Sequence, residues 1–393
     1  MAASRVATYR AAMPVPLPGP ADVLLEPPTD AEIDLVWRGL NSVIGGGAAG
    51  QTPLQQLLLA SVTRAMMGRE HLAPDPEPID AAGFAAGLAR RNQQFRERVG
   101  QVMMLAALVR RPPSPQDMSR ITAFLVELSL DGTLIEITSS YADGGFDLAV
   151  VDFDRNGYLG ERHLDAERAA LGTSPLVDTA WAPVHDDAGL AARWRGLGEL
   201  PTDTIGRRVH DFYRARGFRF PGEVDSAPPL LAQHDWVHVL ADYGTSLESE
   251  LEVFGFIARA NDDLRAFSLL AMVVSLFETG IARSGMGLFQ ANTGNLSKHG
   301  MAQRLADALR RGALTTGSQD FLGLDWFAVA DRPVAVMRRE VGLVAKDDAV
   351  VRLGSAGPWA PGGLSAYQHR AGAALAKAQG WDYDLLGAPE PPV

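Results

Sequence analysis

Residues 230–261 read LLAQHDWVHVLADYGTSLESELEVFGFIARAN. Leu231, Val237, Leu240 and Ala241 recur at helical spacing, so the first half of this stretch reads as a helix. With each residue turning about 100°, His234 and His238 sit roughly 40° apart on one face, and Asp235 lies about 60° round from His238. Tyr243-Gly244 breaks the pattern. Thr245 then opens a second helix, with Glu248 at capping-box spacing behind it. If the two helices fold back on each other, His238 lies about one turn before the first ends and Glu250 about one turn after the second begins. Two imidazoles and a carboxylate would then converge, a donor set suited to a hard-to-borderline divalent cation with an open coordination position. Periodicity alone leaves a plainer reading open, in which the histidines are satisfied on a polar helix face and Glu250 is an ordinary capping acid.

The surrounding chain narrows the chemistry. Its 393 residues exceed a usual single core, so two domains are expected, and 47% hydrophobic with 21% charged residues is the balance of a globular protein. A net charge of -11 argues against nucleic acid and against electrostatic docking on anionic lipid. The chain has no cysteine, which excludes disulfides, thiolate zinc sites, iron–sulfur clusters and cysteine nucleophiles, and fits a reducing interior. The longest apolar stretch, 267–277, contains Ser268 and Ser275 and falls well short of the roughly 20 residues that span a bilayer. Residues 1–28 form a Pro-rich lead-in whose Arg5 and Arg10, without an acid before Asp22, also have a transit-peptide-like composition.

The spacing H-D-x-x-H-x11-E formed by His234, Asp235, His238 and Glu250 resembles the signature of the ubiquinone (coenzyme Q) biosynthesis Coq-four family. ELPTDTIG at 199–206 is similar to that family's L-P-x-x-T-L-G segment. LDW at 324–326, DRP at 331–333 and RREVG at 338–342 are similar to its D-W…D-x-P…R-x-x-x-G end. The resemblance implies a helical bundle over 165–344 with a metal held by His234, His238 and Glu250, and with Asp235 either a further ligand or an orienting partner. Zinc suits the nitrogen and oxygen donors best, with magnesium and iron as the other candidates. It also implies work on a polyprenylated benzoate in the synthesis of ubiquinone or a related quinone. That work is removal of the C1 carboxylate with hydroxylation there, or organisation of the other quinone-biosynthesis enzymes around a lipid intermediate. A tunnel for the polyprenyl tail is then expected along Phe254, Ile257, Phe267, Leu270, Val274 and Phe277. The expected location is cytoplasmic, with peripheral contact at the inner membrane, organelle targeting and a homodimer left open.

Upstream, capped helices are expected from Thr29-Asp30 to the Gly45-Gly46-Gly47 run, from Thr52-Pro53 through Met67, over 84–108 as one or two helices, and after Ser114-Pro115. Leu54, Leu57, Leu58, Ser61 and Val62 form the apolar period of the second. This layout, 29–160, resembles tellurite-resistance B-like helical domains as a pattern only. The tail, 345–393, reads as Gly/Pro-rich with one short helix near 365–379. The fold expected is therefore all-α: an N-terminal helical domain followed by a C-terminal bundle, with a β-hairpin as the alternative for 140–165.

Two other constellations compete. Asp152, Asp154, Asn156 and Gly157 match the first half of an EF-hand calcium loop, but its twelfth position, which needs a bidentate acid, is His163. His210, the pair His234-Asp235, and Asp262 or Asp263 follow the order of an HD-type phosphohydrolase, a family that calls for neither His238 nor Glu250. No Walker loop, dinucleotide fingerprint or nucleophile elbow is present.

Overall fold

The computed structural model describes residues 28–69, 71–110, 114–130, 187–224, 226, 229–260, 270, 274, 295–315, 320–364 and 366–383. The protein is all-α: among the described residues there is no β-strand, only an isolated bridge between Thr204 and Pro333. The lead-in, the calcium-like loop, the alternative hairpin, Asp262, Asp263, Phe267 and Phe277 lie outside the described residues.

Among the described residues, five helices build the N-terminal half: α1 (Asp30–Val43), α2 (Pro53–Met67), α3 (Ala81–Gly87), α4 (Gln93–Leu108) and α5 (Pro115–Glu127). Thr29 with Glu32, and Thr52 with Gln55, close reciprocal capping boxes that satisfy free N–H groups at the starts of α1 and α2. Ile33, Val36 and Leu40 of α1 turn inward with Leu58 and Val62 of α2, whereas Leu57 is exposed and drops out of the apolar stripe. The expected 84–108 segment is two helices, broken between Leu88 and Asn92, and Asn92 caps the second.

The C-terminal half contains α6 (Ala188–Gly196), α7 (Ile205–Arg216), α8 (Pro229–Ala241), α9 (Leu247–Ala260), α10 (Met301–Leu314), α11 (Val334–Glu340), α12 (Asp348–Arg352) and α13 (Ala366–Gln379). Among its described residues the tail thus carries two helices where one was expected. The halves share one hydrophobic core, because α10 packs on α9 on one side and on α2 on the other. A buried hydrogen bond of 2.9 Å from Arg259 Nη1 to Gln101 Oε1 also ties α9 to α4.

Helix α8, the carrier of both histidines, is held from several sides. Trp236 stacks on Trp326 at 5.5 Å with the rings 12° apart. Its C-terminal carbonyls are met by buried arginines: Arg338 donates to Val239 O at 3.0 Å and to Leu240 O at 2.8 Å, and Arg311 donates to Ala241 O at 3.0 Å. Cations at a helix C-terminus also complement its dipole. The segments 199–206 and 324–342 meet in space, with Ile205 N donating to Arg332 O at 2.8 Å and Val334 N to Asp203 O at 2.9 Å. The helices that start in these two segments, α7 (Ile205–Arg216) and α11 (Val334–Glu340), both pack on α8.

One local expectation is corrected. Thr245 does not cap α9. Ser246 does, its hydroxyl accepting from Ser249 N at 3.2 Å. Thr245 is drawn instead into contact with the tail, and Glu248, the supposed partner of its cap, pairs with Lys298.

Candidate metal centre

α7, α8 and α9 enclose the site. Helical spacing puts His234 and His238 on one face of α8, one turn apart, and their rings lie 5.0 Å apart at a steep angle. The short turn after α8 reverses the chain and brings Glu250 of α9 opposite both. Glu250 Oε2 lies 3.6 Å from His234 Nε2 and 3.5 Å from His238 Nε2. Asp235 Oδ1 lies 3.6 Å from His234 Nε2. Glu250 is 2% exposed and His238 0%, so neither faces bulk solvent.

His234, Asp235 and His238 each present a ligand atom within 4.8 Å of the others, and this buried group can hold a metal ion. The separations to Glu250 bear on the same point. At 3.5 and 3.6 Å they are too long for hydrogen bonds. Metal bonds of about 2.0–2.2 Å would set the ligand atoms of a tetrahedron about 3.3–3.6 Å apart.

Protonation sharpens the fit. His238 Nδ1 lies 3.2 Å from Tyr243 O, and a carbonyl can only accept, so Nδ1 carries the proton. In the neutral ring Nε2 is then a bare lone pair, and it makes no hydrogen bond among the described residues. It faces a carboxylate, which is also an acceptor. Two acceptors held face to face in a buried site need a positive charge between them, either a metal ion or a second proton on the His238 ring.

The two acids are pushed in opposite directions. Burial raises the Asp235 carboxyl above its ordinary range in spite of the neighbouring His234 and His238. Burial would lift Glu250 as well, but when the facing His238 and His234 carry their second protons, their charge outweighs it and holds the carboxyl down at about 2. Glu250 is thus ionised at neutral pH. Asp235 keeps its proton more readily and is tied from behind, since Tyr213 donates its hydroxyl to Asp235 Oδ2 at 2.6 Å. Burial and the Asp235 charge push the Tyr213 hydroxyl well above the usual phenol range, so it stays a donor.

Two rings complete the enclosure. Phe254 stacks on His234 at 4.8 Å and Phe212 on His238 at 5.5 Å. All four residues of the motif therefore converge. His210 does not join them: it stacks on Phe220 at 5.2 Å and pairs with Asp211 at 3.3 Å. Of the expected tunnel, Phe254, Ile257, Leu270 and Val274 are buried in the shared core. Sequence reasoning missed Tyr213, Phe212 and Tyr243 O. A buried tyrosine hydroxyl needs a partner, but nothing in the local sequence of α7 names Asp235 as that partner.

Comparison of the chain with protein-family models, with curated proteins and with solved structures finds no match.

Proposed function

We propose that this is a divalent-metal protein of the Coq-four type, with His234, His238 and Glu250 as ligands and Asp235 as a fourth donor or orienting acid. The observation that carries the reading is the pair of acceptors at 3.5 Å, His238 Nε2 and Glu250 Oε2, with His238 Nδ1 already committed to Tyr243 O. Zinc is the proposed ion, because two imidazoles with one or two carboxylates suit it and magnesium prefers an all-oxygen shell.

The proposed substrate is a polyprenylated benzoate of quinone synthesis. When bound, the metal would supply a Lewis acid for a carboxylate or phenolate and for the charge left as carbon dioxide departs. The chain's own groups would do the rest. Glu250 balances the cation's charge, Tyr213 holds Asp235, and Phe254 and Phe212 keep water away from the imidazoles. Asp235, where it is not itself a ligand, would supply a proton to the ring carbon that loses its carboxylate. The accompanying hydroxylation is a two-electron oxidation that would need dioxygen as the external oxidant, since zinc, with one oxidation state, exchanges no electrons.

The first test is elemental analysis of the purified protein, with one zinc per chain expected and little in His238→Ala. The second uses a polyprenylated hydroxybenzoate labelled with ¹³C in its carboxylate. Labelled carbon dioxide should be released by the zinc-loaded protein and not by Glu250→Ala. If Glu250→Ala sustains quinone synthesis in cells, the protein organises a lipid intermediate for other enzymes and is not the catalyst.

A further inference from the structure

The turn between the two metal helices, 242–246, is not held by those helices alone. Asp242 takes a left-handed conformation, φ 64°, which a residue with a side chain adopts at a cost. The tail supplies what keeps it there. Gly244 N donates to Ala356 O at 2.9 Å and Thr245 N to Gly363 O at 2.7 Å. The Thr245 hydroxyl accepts from Arg216 Nε at 2.7 Å and donates to Gln368 Oε1 at 2.8 Å. Arg216 in turn donates through Nη2 to Pro358 O at 2.9 Å. Thr245, Arg216 and Gln368 are 3%, 1% and 2% exposed, so these bonds form away from competing water.

The backbones also interlock. A Cβ on Gly244 would stand 2.5 Å from Gly363 Cα, and one on Gly363 would stand 2.0 Å from Gly357 O. Only glycine allows that approach. The position of this turn decides two features of the metal centre. Tyr243 O, which sets the proton on His238 Nδ1, immediately precedes Gly244, and Ser246, which starts the helix carrying Glu250, immediately follows Thr245.

We propose that residues 356–364 together with Gln368 are a clasp that sets the geometry of the metal hairpin, with Thr245 and Gln368 as positioning residues, an inference that rests on the metal reading of His234, His238 and Glu250. The far C-terminal part of the chain is then part of the metal centre, although it supplies no ligand. Outer partners of this kind commonly change metal affinity 10–100-fold.

The test uses the full chain and zinc in competition with a chromophoric chelator. Gln368→Ala should weaken zinc binding about tenfold, the low end for outer partners. Gln368→Glu, which keeps an oxygen for the Thr245 hydroxyl, should stay close to wild type. Gln55→Ala is the control, because it removes an equally buried amide, bonded to Ala106 O at 3.0 Å, far along the chain. It should lower the melting temperature and leave zinc affinity unchanged. Wild-type affinity in Gln368→Ala, or an equal loss in Gln55→Ala, overturns the clasp. If the wild-type protein takes up no zinc, the metal reading fails on its own. The clasp is then decided by amide exchange at Thr245 in metal-free protein: faster exchange in Gln368→Ala upholds it, and an unchanged rate overturns it.

Discussion

Tyr213 on α7 donates its hydroxyl to Oδ2 of Asp235 on α8 at 2.6 Å, across 22 residues of sequence. The bond leaves Oδ1 of Asp235 to face His234 Nε2 at 3.6 Å, so α7 aims the acid although it offers no ligand. Tyr213→Phe keeps the ring and its packing and removes only the donor. We expect metal affinity to fall about 10–100-fold with the fold retained, read by competition titration and by circular dichroism. Unchanged affinity would show that Asp235 is held well enough by burial alone.

Metal removal gives a second prediction. Ligand binding stabilises a native state by about 2.7 kcal/mol when free metal is 100 times its dissociation constant. Adding a chelator should therefore lower the melting temperature of the wild-type protein. His238→Ala should melt at one temperature with or without chelator, and a chelator response in that variant would place the ion elsewhere.

Arg338 provides a test of how α8 is held. Its guanidinium, 2% exposed, caps Val239 O and Leu240 O. Arg338→Leu removes both donors and leaves two carbonyls without them. Buried hydrogen bonds from charged donors are worth about 1.5–3 kcal/mol each, so a loss of about 3 kcal/mol is expected in urea unfolding. A loss under about 0.5 kcal/mol, within the range of ordinary surface changes, would mean that other groups take over the cap.

Acid stability should depend on Glu32. Its hydrogen bond from Arg91 outweighs partial burial and holds its carboxyl at about 2, below the ordinary 4.5. A depressed carboxyl binds fewer protons folded than unfolded, so its contribution is complete above about 4.5 and is lost as the pH falls toward about 2. Wild-type protein should thus lose stability more steeply across that window than Glu32→Gln, measured by urea midpoints at a series of pH values. Parallel curves would remove Glu32 from the account.

The expected helix starts at Thr29, Thr52 and Ser114 all stand, because a capping side chain bonds backbone groups only a few residues away. Thr245 looked like the same signal and is not. Its hydroxyl has a better offer from Arg216 and Gln368, residues no local pattern could connect to it.

The sequence by itself determined the helical character of the chain and the residues of the candidate centre. A 3.6-residue period places His234 and His238 on one face, and a short turn returns Glu250 to the same height. Tertiary structure alone decided the rest: Tyr213 behind Asp235, the rings of Phe212 and Phe254 over the imidazoles, the seating of α10 between the two halves, and the tail closing over the turn. Local spacing is dictated by helix geometry within a turn or two. Which distant donor reaches which buried acceptor is dictated by packing, where each desolvated polar group must find its partner wherever the folded chain supplies one.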